Sequence, residues 1–158
     1  MQPQEFYIPT TWRIKGTAEQ VYDVLSKPRE FPRWWPEVYL DVREVSPGDG
    51  NGVGRIVALR TKGKLPYELR WQAEMIAAQR PNRMAIRARG DLDGRGEWQL
   101  SQDGEWVVVR YEWAVLVTKA WMIALAPLLK PLFVWNHQWA MRRGFEGLTG
   151  ELARRAPA

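Results

Sequence analysis

The chain has no cysteine and a single histidine, His137. The first absence excludes disulfides, thiolate zinc sites and cysteine nucleophiles. The second removes the imidazole clusters on which most transition-metal sites depend, so neither a metal nor a cofactor is expected. Long apolar runs are also missing. The most hydrophobic stretch, WMIALAPLLKPLFVW (residues 121–135), is too short to span a bilayer and contains Pro127, Lys130 and Pro131. The opening residues, MQPQEFYIPTTWRIKG, show no basic flank followed by an apolar core. No secretory signal is therefore expected, and cytoplasm is the default location. There is no internal repeat and no low-complexity segment.

What is present is a chain of 158 residues, 46% of them hydrophobic, long enough to bury one core and a cavity within it. One domain over residues 1–158 is expected. The net charge of +5 raises the question of nucleic acid. Arg83, Arg87 and Arg89 alternate along one segment, and Arg142, Arg143, Arg154 and Arg155 fall near the end of the chain, but acidic residues are interspersed and no recognition motif occurs. This is the pattern of a solvated basic surface, and no nucleic-acid partner is expected.

Residues 5–15 alternate between apolar and polar, as a half-buried strand does. Thr17 and Gln20 form a capping box ahead of Val21, Val24 and Leu25, and Pro28 stops that helix. PREFPRWWPEV is then a tight helical turn that delivers Trp34 and Trp35 to an edge of the fold. From residue 37 to 117 the period is two, broken by turn chemistry at SPGDGNG, TKGKLP, QRPN, GDLDG and SQDG. About six antiparallel strands are predicted there. Tyr67, Leu69, Trp71, Ala73 and Met75 share one phase, as do Trp98 and Leu100, and Tyr111, Trp113, Val115 and Val117. The remaining element, from about Pro131 to Arg155, reads as a long helix with Val134, Gln138, Met141, Phe145, Leu148 and Leu152 in one stripe. On that wheel His137 lies at the shoulder of the stripe, either bonded to a loop or, the sharper reading, at the rim of a cavity where it orients a ligand or moves a proton, with the first preferred; Trp139 lies on the outer side as an exposed contact.

Motifs for catalysis are thin. Gly48, Gly50, Gly52 and Gly54 precede a strand rather than a helix, so they mark a hairpin turn and not a phosphate loop. DLDGRGE lacks the later ligands of a calcium loop and is read as a turn. Glu68, Glu74, Glu97 and Glu112 all take the wet phase of their strands, which keeps paired carboxylates out of any internal pocket. Ser26, Ser46 and Ser101 fall in turns with no nucleophile elbow. The ten tryptophans remain. Trp71, Trp98, Tyr111 and Trp113 share the inner phase, and Gly94 and Gly96 leave room beside them, as in an aromatic-lined pocket.

The order strand, TAEQVYDVLSKPREFPRWWPEV, long meander and closing helix resembles the START-like (SRPBCC) superfamily, in its polyketide cyclase/dehydrase and lipid-transport branch. Three segments carry the likeness: Trp12 to Ile14 with Ala18 to Tyr22, the turn Trp34 to Pro36, and the helix with Trp135 to His137 and Gly147 to Leu148. The resemblance implies an α+β helix-grip fold: a curved antiparallel sheet of about seven strands wrapped around a long C-terminal helix, with two short helices after strand one. It implies binding or transport of an apolar small molecule, a lipid, polyketide or aromatic, in a cavity between sheet and helix. Trp35, Tyr67, Trp71, Trp98, Tyr111, Trp113, His137 and Met141 are the expected ligand-binding residues. The alternative is a cyclase- or dehydratase-type enzyme using His137 and Tyr111, or Tyr67, as acid or base. With no carboxylate on the inner phase, binding without catalysis is preferred. Residues 121–135 are expected to form the cavity mouth and a weak membrane-surface contact. Oligomeric state leaves no signal in the pattern.

Overall fold

Strict alternation of side chains builds the first strand: β1 (Glu5–Lys15) buries Phe6, Ile8, Trp12 and Ile14 and turns the residues between them outward. The computed structural model describes residues 5–155. Thr17 then caps α1 (Ala18–Leu25) through a reciprocal box, its side-chain oxygen accepting from the Gln20 N–H and the Gln20 side chain accepting from the Thr17 N–H. Proline directs the next step. Pro28 opens a 3-10 turn (Pro28–Glu30) that runs into the one-turn α2 (Phe31–Trp34), and both tryptophans of the turn are buried.

Six strands follow: β2 (Tyr39–Ser46), β3 (Ile56–Lys62), β4 (Glu68–Gln79), β5 (Arg83–Gly90), β6 (Leu92–Asp103) and β7 (Trp106–Val117). They form one antiparallel sheet in the order β1-β7-β6-β5-β4-β3-β2, so every neighbour is sequential except β1, which returns to pair with β7. Register shifts in β2 and between Met75 and Ala77 of β4 are the local irregularities that sharpen twist and help the sheet curl. The α+β helix-grip architecture expected from the sequence is the one observed, with α3 (Ala120–Arg155) gripped by the sheet.

The long helix differs from expectation in two ways. It starts at Ala120, eleven residues before Pro131, and carries Pro127 and Pro131 in its interior. A proline removes one N–H and crowds the carbonyl four residues earlier. Here the two are spaced by four and are both exposed, so the freed carbonyls lie on the outer side, where water can meet them. Residues 121–135 are therefore helix, and not a connection between the last strand and the helix. The second difference is rotational. Gln138, placed in the buried stripe by its helical spacing, is exposed, although Met141 and Leu148 of that stripe are buried; the buried line runs Phe133, Asn136, Ala140, Gly144, Leu148 and Glu151. Trp139, expected outside, is half-buried, with the Lys64 ammonium 5.8 Å and the Arg143 guanidinium 5.5 Å from its ring centre.

The far end of α3 is pinned electrostatically. Glu151 is buried and its carboxylate accepts from Arg33 of α2 at 2.9 Å, from Arg155 at 2.9 Å and from Arg154. Burial alone pushes this carboxyl pKa up, but the hydrogen bonds from three guanidinium groups outweigh it and hold the group at about 2. The element that carries one wall of the site is thereby tied to the turn that carries Trp35.

Candidate ligand-binding cavity

Between the inner face of the sheet and α3 lies a cavity of about 130 Å³. All eight residues named from the sequence border it: Trp35, Tyr67, Trp71, Trp98, Tyr111, Trp113, His137 and Met141. Its wall is a run of parallel rings. Trp98 and Tyr111, opposite one another on β6 and β7, stack with centroids 4.0 Å apart; Tyr111 and Trp113 are 5.8 Å apart at 22°; and the His137 imidazole lies parallel to Trp113, within 5°, at 6.5 Å. Trp71 leans on the same Trp113 ring at 5.5 Å. Offset stacking of this kind adds to the burial of each ring and fixes the wall's geometry.

The space for these rings comes from missing side chains. Gly96 pairs with Trp113 across β6 and β7, and a Cβ there would lie 2.7 Å from the Tyr111 hydroxyl and 2.9 Å from the Trp113 ring. On the helix, a Cβ at Gly144 would overlap the Trp35 indole. Trp35 uses that gap to donate from Nε1 to the Ala140 carbonyl at 3.0 Å, which locks the indole against α3. Trp71 is likewise held, its Nε1 donating to Thr61 Oγ1 at 3.0 Å.

His137 borders the cavity, but the loop hydrogen bond expected of it is not made: its Nε2 is buried without a hydrogen-bond partner. The loop contact belongs to the residue before it. Asn136 Oδ1 accepts from the Leu65 N–H at 3.0 Å and its Nδ2 donates to the Tyr67 hydroxyl at 3.2 Å, tying the β3–β4 loop to α3. Asn136 and Thr61 were not anticipated as lining residues. Thr61 falls on the inner phase of β3 and could have been found by extending the alternation; Asn136 gave no such signal, because a polar side chain on a helix is ordinarily read as outward.

Burial sets the protonation of the wall. It pulls the imidazole of His137 down to about 4, so the ring is neutral at pH 7. It pushes the Tyr111 phenol well up, and that of Tyr67 up against the opposing hydrogen bond from Asn136. A smaller hollow of about 60 Å³ adjoins the first, sharing Tyr39, Trp71, Trp98 and Tyr111 as a common partition. Among the described residues no group of acidic or imidazole side chains could hold a metal ion.

The model of the family described as polyketide cyclase / dehydrase and lipid transport matches residues 8–156. The solved aromatase/cyclase ZhuI from Streptomyces sp. R1128 is 17% identical, with 98% of each chain covered and a TM-score of 0.79. A START superfamily protein from Mycobacterium smegmatis is 12% identical, covering 95% of this chain and 99% of that one, with a TM-score of 0.76. Norcoclaurine synthase from Thalictrum flavum, solved with dopamine and hydroxybenzaldehyde, is 16% identical over 99% of this chain and 91% of its own, with a TM-score of 0.63. No curated protein matches the sequence.

Proposed function

Since the chain belongs to the polyketide cyclase / dehydrase and lipid transport family, we propose that it binds a flat, largely apolar small molecule in the cavity between sheet and α3. The observation that carries this reading is the ring-walled cavity against which the buried His137 Nε2 has no hydrogen-bond partner, among aromatic and aliphatic surface. A ligand gains from burial at roughly 25 cal/mol per Å² of apolar surface, and one hydroxyl or carbonyl is enough to satisfy the imidazole and fix orientation. An apolar cavity of about 150 Å³ holds a benzene-sized guest. The observed volume thus accommodates a single ring as it stands. A fused bicyclic or acyl ligand needs the partition of Tyr39, Trp98 and Tyr111 to shift and join the two hollows.

Cyclase or dehydratase chemistry on a polyketide-like substrate is the second reading, and the aromatase/cyclase among the structural neighbours favours it. The site's electrostatics count against it. A general base works best with a pKa near the working pH, and burial leaves His137 a weak base with a value of about 4. As a neutral hydrogen-bonding group it is better suited to orientation.

The test is titration with an apolar environment-sensitive fluorophore, followed by displacement with naphthols, anthraquinones and fatty acids. Val115→Phe, which fills the cavity from β7, should weaken probe binding by about tenfold or more, equivalent to about 1.4 kcal/mol, without loss of the folded state. Failure of every probe to bind folded protein, or equal binding by the filled variant, would sink the proposal. Turnover of a linear poly-β-ketone that falls about 10²-fold in His137→Gln, with binding intact, would instead establish the enzyme.

A further inference from the structure

The first four turns of α3 are apolar on every side. One side packs on the sheet through Met122, Ala126 and Phe133. The opposite side exposes Trp121 (42%), Leu125 (42%), Leu128 (78%), Leu132 (41%) and Trp135 (41%). Their 4-3-4-3 spacing puts them in a single row about 21 Å long at 1.5 Å per residue. Ala124, Pro127 and Pro131 complete that exposed surface, and Lys130 is the one charged residue between Ala120 and Trp135. Beyond Asn136 the same helix exposes Arg142, Arg143, Glu146, Arg154 and Arg155, the ordinary polar surface of a soluble domain. A helix that is hydrophobic all round is normally buried all round, so the exposed row requires a second apolar partner.

We infer that this row docks the protein on the surface of an anionic lipid bilayer, with α3 lying in the plane of the interface. Charge decides between a bilayer and a second copy of the chain. Lys64 stands at the C-terminal end of the row, its ammonium 5.8 Å from the ring centre of Trp139 one turn beyond Trp135, and makes no ion pair with a carboxylate among the described residues, whereas Lys130 lies on the other side of the helix over the Phe6 ring. A second copy would bring together two chains that each carry +5, with no acidic side chain between Ala120 and Trp135 to offset them. An anionic headgroup layer meets Lys64 and the net positive charge favourably, while the leucines enter the acyl boundary and the tryptophans at the two ends take the interfacial level they prefer. No helix among the described residues is long and apolar enough to cross a membrane, so docking is in the plane.

The row also connects with the cavity. Trp121 packs edge-on against Tyr67 at 5.3 Å and against Phe133 at 6.4 Å, and both of those residues line the cavity. Docking therefore sets the cavity one side chain away from the lipid phase, a direct route for an apolar guest. The docking itself does not depend on what the cavity binds.

Flotation of the intact protein with vesicles of phosphatidylcholine, or of phosphatidylcholine with about 30% phosphatidylglycerol, reads the contact directly. The wild type should float with the anionic vesicles, less so at high salt, and the Leu128→Glu/Leu132→Glu double variant should partition at least about tenfold less at an unchanged melting temperature. The single Leu128→Ser variant, at the most exposed position, should show a smaller loss and guards against misfolding of the double variant. Absence of flotation by wild type, equal flotation of the variants, or binding indifferent to lipid charge and salt would overturn the inference. So would a stable dimer in light scattering that the double variant dissolves.

Discussion

His137 provides a test of the site that needs no ligand. It is the only histidine in the chain, its ring is stacked on Trp113, and burial lowers its pKa to about 4, against about 6.5 in an unfolded chain. Between those values the unfolded state binds a proton that the native state refuses. Stability must therefore fall as pH falls through this window, by up to about 1.4 kcal/mol per pH unit. Integrating from pH 7 gives a loss of about 0.7 kcal/mol at pH 6 and about 2 kcal/mol at pH 5. The range is clean. The acidic groups with lowered values, Glu151 and Glu97, lose their stabilising effect only as pH drops below the ordinary carboxylate value, here 4.5. Urea unfolding at pH 7, 6 and 5 should show the midpoint falling in wild type with little change in slope. In His137→Gln most of that dependence should vanish, leaving less than about 0.5 kcal/mol across the range. The imidazole resonance, unique in the spectrum, should titrate far below 6.5 in folded protein. A wild type whose stability is flat from pH 7 to 5, or an imidazole that titrates near its free value, would refute the placement of this ring in an apolar wall.

Two further perturbations probe how the cavity is built. Gly144→Ala should destabilise by about 1–3 kcal/mol, because the new methyl overlaps the Trp35 indole, and it should blue- or red-shift tryptophan emission as that ring moves; a neutral change in melting temperature would mean that Trp35 is loosely seated. Met141→Ala, at a buried position that borders the cavity, should cost about 2–5 kcal/mol in chemical denaturation. A loss well under 1 kcal/mol would show that this side chain faces solvent-filled space.

The sheet was readable because its code is binary. A residue in a strand is on one face or the other, so Trp71, Trp98, Tyr111 and Trp113 could be assigned to a common inner surface without knowing the register, and the register Trp98 to Tyr111 then brought their rings together. The helix was harder for a physical reason. Helical spacing put Val134, Gln138 and Phe145 on the inner line with Met141 and Leu148, whereas the structure buries Asn136, Ala140 and Gly144 there. The bulk in this interface comes from the sheet and from Trp35, so the facing helix must be small or must hydrogen-bond a loop, as Asn136 does with Leu65 and Tyr67. The same logic explains the exposed leucines and tryptophans of residues 121–135: with the inner line filled by Met122, Ala126 and Phe133, other large apolar side chains have only the outside to occupy. Bulky residues at a regular period disclose the walls of a cavity. The rings that form those walls are seated over Gly96 and Gly144, where side chains are absent, and an absence becomes legible only when the opposing ring is known. Substitutions at those glycines should therefore alter what the cavity holds more sharply than conservative exchanges among its aromatic walls.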